Sequence, residues 1–479
     1  MSDDTTSSSQ VETGVTLRRG TLGLRHAIVI SVAVMSPAAS IFFNTIPQAA
    51  FVGAAIPLCY VIGFVLALLI ANQYSEFSRE IPSSGSAYTF VTEGLGLRLG
   101  FITAWIGFIA VAIGVPYSFV LLAANVQTLM IRWFGLNLHW SFWFVLAIGI
   151  AFALSFWGIR QSMNVDLTFL SFEIGVCLIL AIIVLVQVGK QGALTAVPFS
   201  PAAVPPNGNL TVGIVLALLS YIGFESAAAL GEETKNPHKN IPRAVFGSMI
   251  VVGLFYVLMA YVGTVGYGVN RMVTGFANDA APFDTIARQY TSPFFVVLID
   301  LVGLLSFFGA ALAIINGGAR IIYTVGRDGL FSRWTAWLHP VRRTPVGSIT
   351  ALCIFGLVIG LLLGLIMTPI VAFGFLGTLD ALFVLIIYAL VCIASIRFFW
   401  HKRRAQFNVF RHGVVPVLGT LLILTIFLFI VIAPASPPLN LIPFILAIWV
   451  LLGVGLLFLL RRKLGENRLD STGDSTPSS

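Results

Sequence analysis

"SYIGFESAAALGEETKNPHKNIPRA" occupies Ser220 to Ala244. Its first half reads as apolar helix of the kind that lies in lipid, yet Gly223 weakens that helix and Glu225 places a carboxylate in it. A charge at the centre of a membrane helix costs about 2.5–3.5 kcal/mol on insertion scales, so Glu225 is protonated, paired or facing water. An earlier stretch is interrupted in the same way. "HAIVISVAVMSPAASIFFNTIPQAAF" (His26 to Phe51) carries Pro37, which removes a backbone donor, among the small residues Ser36, Ala38, Ala39 and Ser40. Irregular backbone at membrane depth is tolerated only where it is buried in protein or lines a wet cavity.

The rest of the chain supports a membrane setting. Of 479 residues, 58% are hydrophobic and 10% charged, against about 25% charged in a soluble domain, and the mean hydropathy is +0.97. Twelve apolar spans are expected, with cores at 24–46, 50–72, 100–131, 141–160, 165–188, 211–231, 243–268, 293–325, 346–366, 370–397, 413–433 and 440–460. With both termini inside, only Arg132, Lys190, Arg271 and Arg288 of the 27 Lys and Arg residues fall in outer loops, the positive-inside bias. The net charge of +8 is therefore topological, and no nucleic-acid partner is expected. Residues 1–22 and 462–479 read as short polar cytoplasmic tails, the first of them disordered and without the basic start and apolar run of a secretory signal. Residues 399–412 read as a basic cytoplasmic loop whose "HKRR" (His401 to Arg404) anchors at the membrane surface. The four cysteines lie in predicted spans without disulfide or metal spacing, so no metal or other cofactor is expected.

The two broken spans are the first and the sixth. An offset of five is odd, so the second unit enters the membrane from the opposite side, and spans one to five and six to ten read as inverted repeats over 23–398, with two helices appended over 413–461. Paired interruptions of this sort point to a transporter's site near the bilayer midplane. Free N–H groups where a helix begins attract anions, and unwound carbonyls attract cations. Two facing breaks suit a zwitterion, its carboxylate on first-span amides and its ammonium on first- and sixth-span carbonyls. The candidate substrate-binding residues are Met35, Ser36, Pro37, Ala38, Ala39, Ser40, Leu219, Ser220, Tyr221, Gly223 and Phe224, with Gly223 letting backbone reach the ligand and Tyr221 and Phe224 covering it. Three other spans hold acids: Glu173, Asp300 and Asp380. Glu225 and Glu173 are the candidates for coupling or gating, by carrying a proton or pairing a cation. Asp300 and Asp380 read as structural, and Asp166 as lying near the inner end of span five.

Four stretches carry a resemblance to the amino acid–polyamine–organocation superfamily of permeases over nearly the whole chain. Ser220 to Ala244 is similar to the sixth-span signature, G-F-E followed by E-x-x-x-P and I-P-R-A. "SREIPSSGSAYTFVTEGLGLRLGFITAW" (Ser78 to Trp105) resembles the R-x-x-P-x-x-G-x-x-Y loop before span three. "NGGARIIYTVGRDGLFS" (Asn316 to Ser332) resembles the end of span eight, and "GIRQSMNVDLTFLSFEIGV" (Gly158 to Val176) the entry to span five. The resemblance implies an all-α integral membrane protein of twelve helices, with a five-plus-five inverted-repeat (LeuT-like) core, discontinuous helices one and six, and two additional helices. It implies secondary active transport by alternating access, with Glu225 at the position of an acid tied to substrate release. The chain departs from the family at Ala38 and Ser40, where many relatives have glycines, at Leu219, where several have an aromatic gate, and at Glu173, where some have a lysine.

The expected function is a permease of the cell membrane for an amino acid or related small amine, coupled to protons in preference to sodium. An exchanger is the alternative within transport. The alternative of another class is a membrane enzyme, which would need an activated nucleophile or metal set in the spans that is not seen, or a non-transporting sensor, which would usually carry a large cytoplasmic domain where the tails here read as short.

Overall fold

A computed structural model describes residues 17–432 and 437–464, with side chains described as far as Leu459. The expected tails over 1–16 and 465–479 lie outside the described residues. The helices in order are α1 (Leu24–Met35), α2 (Pro37–Val52), α3 (Ile56–Glu80), α4 (Ala87–Leu95), α5 (Leu97–Phe134), α6 (Trp140–Trp157), α7 (Ile159–Lys190), α8 (Leu210–Leu219), α9 (Pro237–Tyr267), α10 (Pro282–Tyr290), α11 (Pro293–Arg327), α12 (Val346–Ile366), α13 (Pro369–His401), α14 (Val415–Ile432) and α15 (Ile442–Leu464). Among the described residues, 11 helical stretches are long and apolar enough to cross a membrane, where the sequence leads one to expect twelve. The difference lies in the first, Leu24–Glu80, whose 57 residues hold α1, α2 and α3. That run far exceeds the ~20 residues of one crossing. The sequence reading divides it between residues 46 and 50, and the structure turns a few residues later, at Gly53, where φ is 54° and a tight turn runs to Ala55.

Helices five spans apart pack on one another: α1 on the Phe224–Leu230 segment, α3 on α9, α5 on α11, and α6 on α12. Pairing of this kind is what an inverted repeat produces. α14 lies on α13 and α3, and α15 on α5 and α13. Trp105 and Trp449 stack with ring centroids 4.5 Å apart, and each indole N–H donates to the other's carbonyl, at 2.9 and 3.3 Å. α12 and α14 are apolar all round, and their exposed Leu362, Leu365, Leu421, Leu424 and Leu428 form lipid-facing surface.

Both breaks have local causes. Ser36 adopts a left-handed conformation (φ 42°, ψ 72°) between α1 and α2. A residue before proline is disfavoured in the right-handed helical region, while Pro37 suits the first position of the next helix, where its missing N–H costs nothing. In the sixth span α8 ends at Leu219, and Gly223 takes φ 119°. The second half, Phe224–Leu230, continues as a 3-10 helix rather than the expected α-helix. Runs of that tight helix beyond three or four residues are uncommon and often mark a hinge or strain.

The tail expected to be disordered through residue 22 is ordered from Leu17. Leu17 and Leu22 are buried, Leu22 bridges Thr234, and Glu233 O accepts from the Thr21 and Leu22 amides at 3.0 and 3.1 Å. Three of the four stretches behind the family resemblance converge at this end of the bundle. Arg320 Nε donates to Glu233 Oε2 at 2.5 Å with both side chains buried. Arg327 makes two bonds to Glu232, at 3.0 and 3.1 Å, and Tyr88 donates to Asp328 at 2.8 Å. The expected basic loop after α13 also pairs with protein acids: Lys402 with Glu93 and Arg403 with Glu80, each at 2.8 Å.

Candidate functional site

A cavity of about 380 Å³ lies between the two breaks, within the ~300–1,000 Å³ typical of small-molecule sites. Residues of α1, α2, α3, α4, α5, α8, α11 and α13 line it, together with Gly85 and Ser86 just before α4. The first break contributes Met35, Ser36, Ala39 and Ser40, and the sixth contributes Leu219, Ser220, Glu225 and Ser226. Among the described residues on its wall, none is Lys, Arg or His, and two are acids, Glu225 and Asp380.

The peptide groups at the breaks are already engaged. Ala38 N–H donates to Glu173 Oε1 at 2.8 Å, and Ala39 N–H to Ser306 Oγ at 3.1 Å. Ser306 in turn donates to Glu173 Oε1 at 3.0 Å. A carboxylate from α7 and a hydroxyl from α11 thus occupy the N-terminus of α2, where the helix would otherwise hold an anion. The expected seat for a solute carboxylate on first-span amides is filled by the protein.

The carbonyls are held by a residue the sequence does not single out. Tyr256 Oη, from the middle of α9, contacts Met35 O at 2.6 Å and Ser220 O at 2.9 Å, one hydroxyl shared between the two breaks. Ser31 Oγ joins the same halves, donating to Phe224 O at 2.7 Å and accepting from Ala227 N–H at 2.9 Å. Glu225 Oε2 accepts from Gly223 N–H at 3.0 Å and from Tyr388 Oη at 2.5 Å. The carboxylate therefore stabilises the bend on which it sits while the residue faces the cavity.

The profile of the amino acid permease family matches residues 26–463. The chain belongs to that family. A curated relative of the permease is the branched-chain amino acid permease BcaP of Bacillus subtilis, 26% identical over 88% of this chain and 89% of its own. Another is the low-affinity putrescine importer PlaP of Escherichia coli, 24% identical over 84% and 87%. Among solved structures, Mhp1, a nucleobase-cation-symport-1 family transporter, superposes with a TM-score of 0.56 over 90% of this chain and 98% of its own, at 12% identity. That likeness carries the fold alone, the LeuT-like fold that the family resemblance implies. The protein is a transporter and not an enzyme.

Of the residues expected to bind substrate in the permease, Met35, Ser36, Ala39, Ser40, Leu219 and Ser220 line the cavity, and Pro37, Ala38, Tyr221, Gly223 and Phe224 do not. A Cβ on Gly223 would lie 2.5 Å from Val34 Cγ1 and 3.1 Å from Met35 N. The space a side chain would take at Gly223 is filled by the first span. Tyr221 donates to Tyr60 O at 3.0 Å and packs on Phe64 and Tyr256. Phe224 packs on Tyr74 and Tyr388, behind the wall. Glu173 is buried outside the cavity. Asp300 lies 3.6 Å from Arg132, which also reaches Asp284 at 3.8 Å. Asp166, expected near the inner end of span five, lies toward the start of α7 but is fully buried, with neither carboxyl oxygen hydrogen-bonded. Asp380, expected to be structural, is on the cavity wall.

Proposed function

We propose that the permease moves a small amine-bearing solute across the cell membrane by alternating access, as a proton symporter with both termini cytoplasmic. Residues 23–398 are the transport core, and 413–461 form the two flanking helices. The observation that carries the reading is the cavity between two broken spans, with Glu225 on its wall and no basic side chain among its described lining residues. An ammonium group is attracted to such a wall. Met35, Ser36, Ala39, Ser40, Leu219 and Ser220 surround the solute, and Glu225 pairs with its cation. The names of BcaP and PlaP, one an amino acid permease and the other an amine importer, agree with an amine-bearing solute.

The proton is carried by Glu173. It sits where α2, α7 and α11 meet, walled off from the cavity, so solute and proton do not compete for one carboxylate. Uncharging it changes how firmly the N-terminus of α2 is held, and α2 forms one wall of the cavity. Uptake into proteoliposomes, with and without an inward proton gradient, tests both roles. Glu225→Gln is expected to lower uptake at least tenfold under either condition. Glu173→Gln is expected to retain solute exchange across the membrane while losing acceleration by the gradient. Wild-type uptake in the first variant, or full gradient dependence in the second, removes the corresponding role.

A further inference from the structure

Arg397 and Arg404 differ from the other basic residues around the end of α13. Lys402 is paired with Glu93 and Arg403 with Glu80, while Glu76 meets Arg79, Arg411 and His412. Among the described residues, no ion pair or side-chain hydrogen bond engages Arg397 or Arg404, and both are exposed. The three acids that meet this segment are thus engaged elsewhere, and two guanidinium groups are left over. The fold gives that surplus a direction. From residue 393 to the end of α13 the exposed residues are Ile393, Arg397, Trp400 and His401, a spacing that lies on one face of a helix. Arg404 is just past the helix end, with its guanidinium carbon 5.6 Å from the centroid of the Trp400 ring. Phe407 meets the same ring edge-on at 5.1 Å, and Val409 and Phe410 are exposed on the turn that leads into α14. Along this face an apolar side chain gives way to a tryptophan flanked by arginines, which is the order of hydrocarbon, aromatic belt and headgroup charge at a membrane surface.

We infer that Arg397 and Arg404 form a site for the headgroup of an anionic phospholipid, with its phosphate beside Trp400 and its acyl chains along Ile393. A guanidinium group matches phosphate geometry with paired N–H···O bonds, and exposed Val409 and Phe410 offer the chains a second apolar contact. A zwitterionic lipid has the same phosphate but brings its own cation toward the arginines, so net negative charge is what the pair selects. The sequence presents His401 to Arg404 as one basic run. The structure divides it: Lys402 and Arg403 serve acids of α4 and α3, and Arg404 joins Arg397, which lies outside the run. The site requires only that α13 end at the membrane surface and is independent of the solute the cavity takes.

The test is native mass spectrometry of the purified full-length protein, titrated in detergent with phosphatidylglycerol or with phosphatidylcholine of the same acyl chains. Wild type is expected to retain phosphatidylglycerol in preference. A basic residue near an anionic membrane surface is worth about fivefold in affinity. Arg397→Gln and Arg404→Gln are therefore each expected to shrink the preference by about fivefold, and together by up to ~30-fold. The Lys402→Gln, Arg403→Gln double variant removes the same formal charge and is expected to leave the preference unchanged. Neither Arg397 nor Arg404 holds another described residue by an ion pair or a side-chain hydrogen bond, so their variants are expected to fold as wild type, and the single variants decide the matter if the double does not fold. Equal retention of the two lipids by wild type, or an unchanged preference in the Arg397 and Arg404 variants, overturns the inference. An equal loss in the Lys402, Arg403 variant does so too, since a diffuse positive field would count all four residues alike. Displacement of the lipid by an excess of inorganic phosphate would make the occupant a soluble anion and also overturns it.

Discussion

Gly223→Ala is expected to cost about 2–6 kcal/mol of stability. The residue sits at φ 119°, a region that costs a side-chain-bearing residue about 1–3 kcal/mol. The added methyl would lie 2.5 Å from Val34 Cγ1, 3.0 Å from Val34 Cβ and 3.1 Å from the Met35 amide nitrogen. Overpacking of this kind costs about 1–3 kcal/mol. Part of the strain is relieved by moving Val34, which is at the end of α1, so the two breaks separate and Tyr256 loses its hold on one of them. The Val34→Ala, Gly223→Ala double variant removes the closest contact but not the backbone cost. It is therefore expected to be less destabilised than the sum of the two single variants, by about 1–3 kcal/mol, because neighbours in contact are not additive. Reversible unfolding by sodium dodecyl sulfate in mixed micelles gives the three free energies. A Gly223→Ala protein as stable as wild type, or single costs that add, refutes the reasoning that the glycine exists to admit the first span.

Tyr256→Phe takes the shared hydroxyl from Ser220 O and leaves Met35 O with Ser40 Oγ alone; it is expected to cost about 1–3 kcal/mol, with solute uptake falling more steeply than protein level, and the same unfolding titration and an uptake assay check it. Glu233→Gln leaves Arg320 buried without a counter-charge, a loss of about 3–5 kcal/mol, visible as reduced resistance of the Leu17–Leu22 strap to proteolysis. Burial, and then the carboxylate of Asp300, hold the Asp284 carboxyl on α10 up at about 7 against the pull of Arg132. The folded chain thus keeps a proton that the unfolded chain loses from its ordinary value of 3.8, so stability declines as pH rises from about 4 to about 7 and is level above that. Asp284→Asn is expected to flatten this slope in unfolding measured across pH, and an unchanged slope contradicts the assignment.

The breaks were legible because their causes are local. Ser36–Pro37 and Gly223 act on the backbone dihedrals of their own positions, and long apolar runs disclose the spans around them. The orientation of side chains past the second break was not legible. Tyr221, Gly223 and Phe224 were assigned to the ligand because they lie at the break, and a break by itself does not fix side-chain direction. The chain turns between Leu219 and Gly223 and then winds at about three residues per turn over Phe224–Leu230, with Tyr221 packed on Phe64 of α3, Phe224 on Tyr388 of α13, and Glu225 and Ser226 on the wall. Glu173 was found as an acid in an apolar run, but its partner Ala38 is 135 residues away, and no periodicity within α7 discloses that contact. Tyr256 has no local sign at all, being an ordinary aromatic in an unbroken helix. Asp380 was visible as a costly acid, and its place on the wall depends on the cavity that α13 shares with the breaks.

If the solute sits in the gap between the broken spans, it shields a side chain placed on that wall from water. The four cysteines of the chain are buried, so a version with all four replaced by alanine and Ser226→Cys added gives one reactive thiol on the cavity wall. The rate of its labelling by a small water-soluble maleimide, with and without a transported amine, is the direct measurement. Labelling that proceeds from water and slows at least tenfold in saturating amine is the predicted result. A thiol that never labels, or labels at one rate in both conditions, contradicts the account.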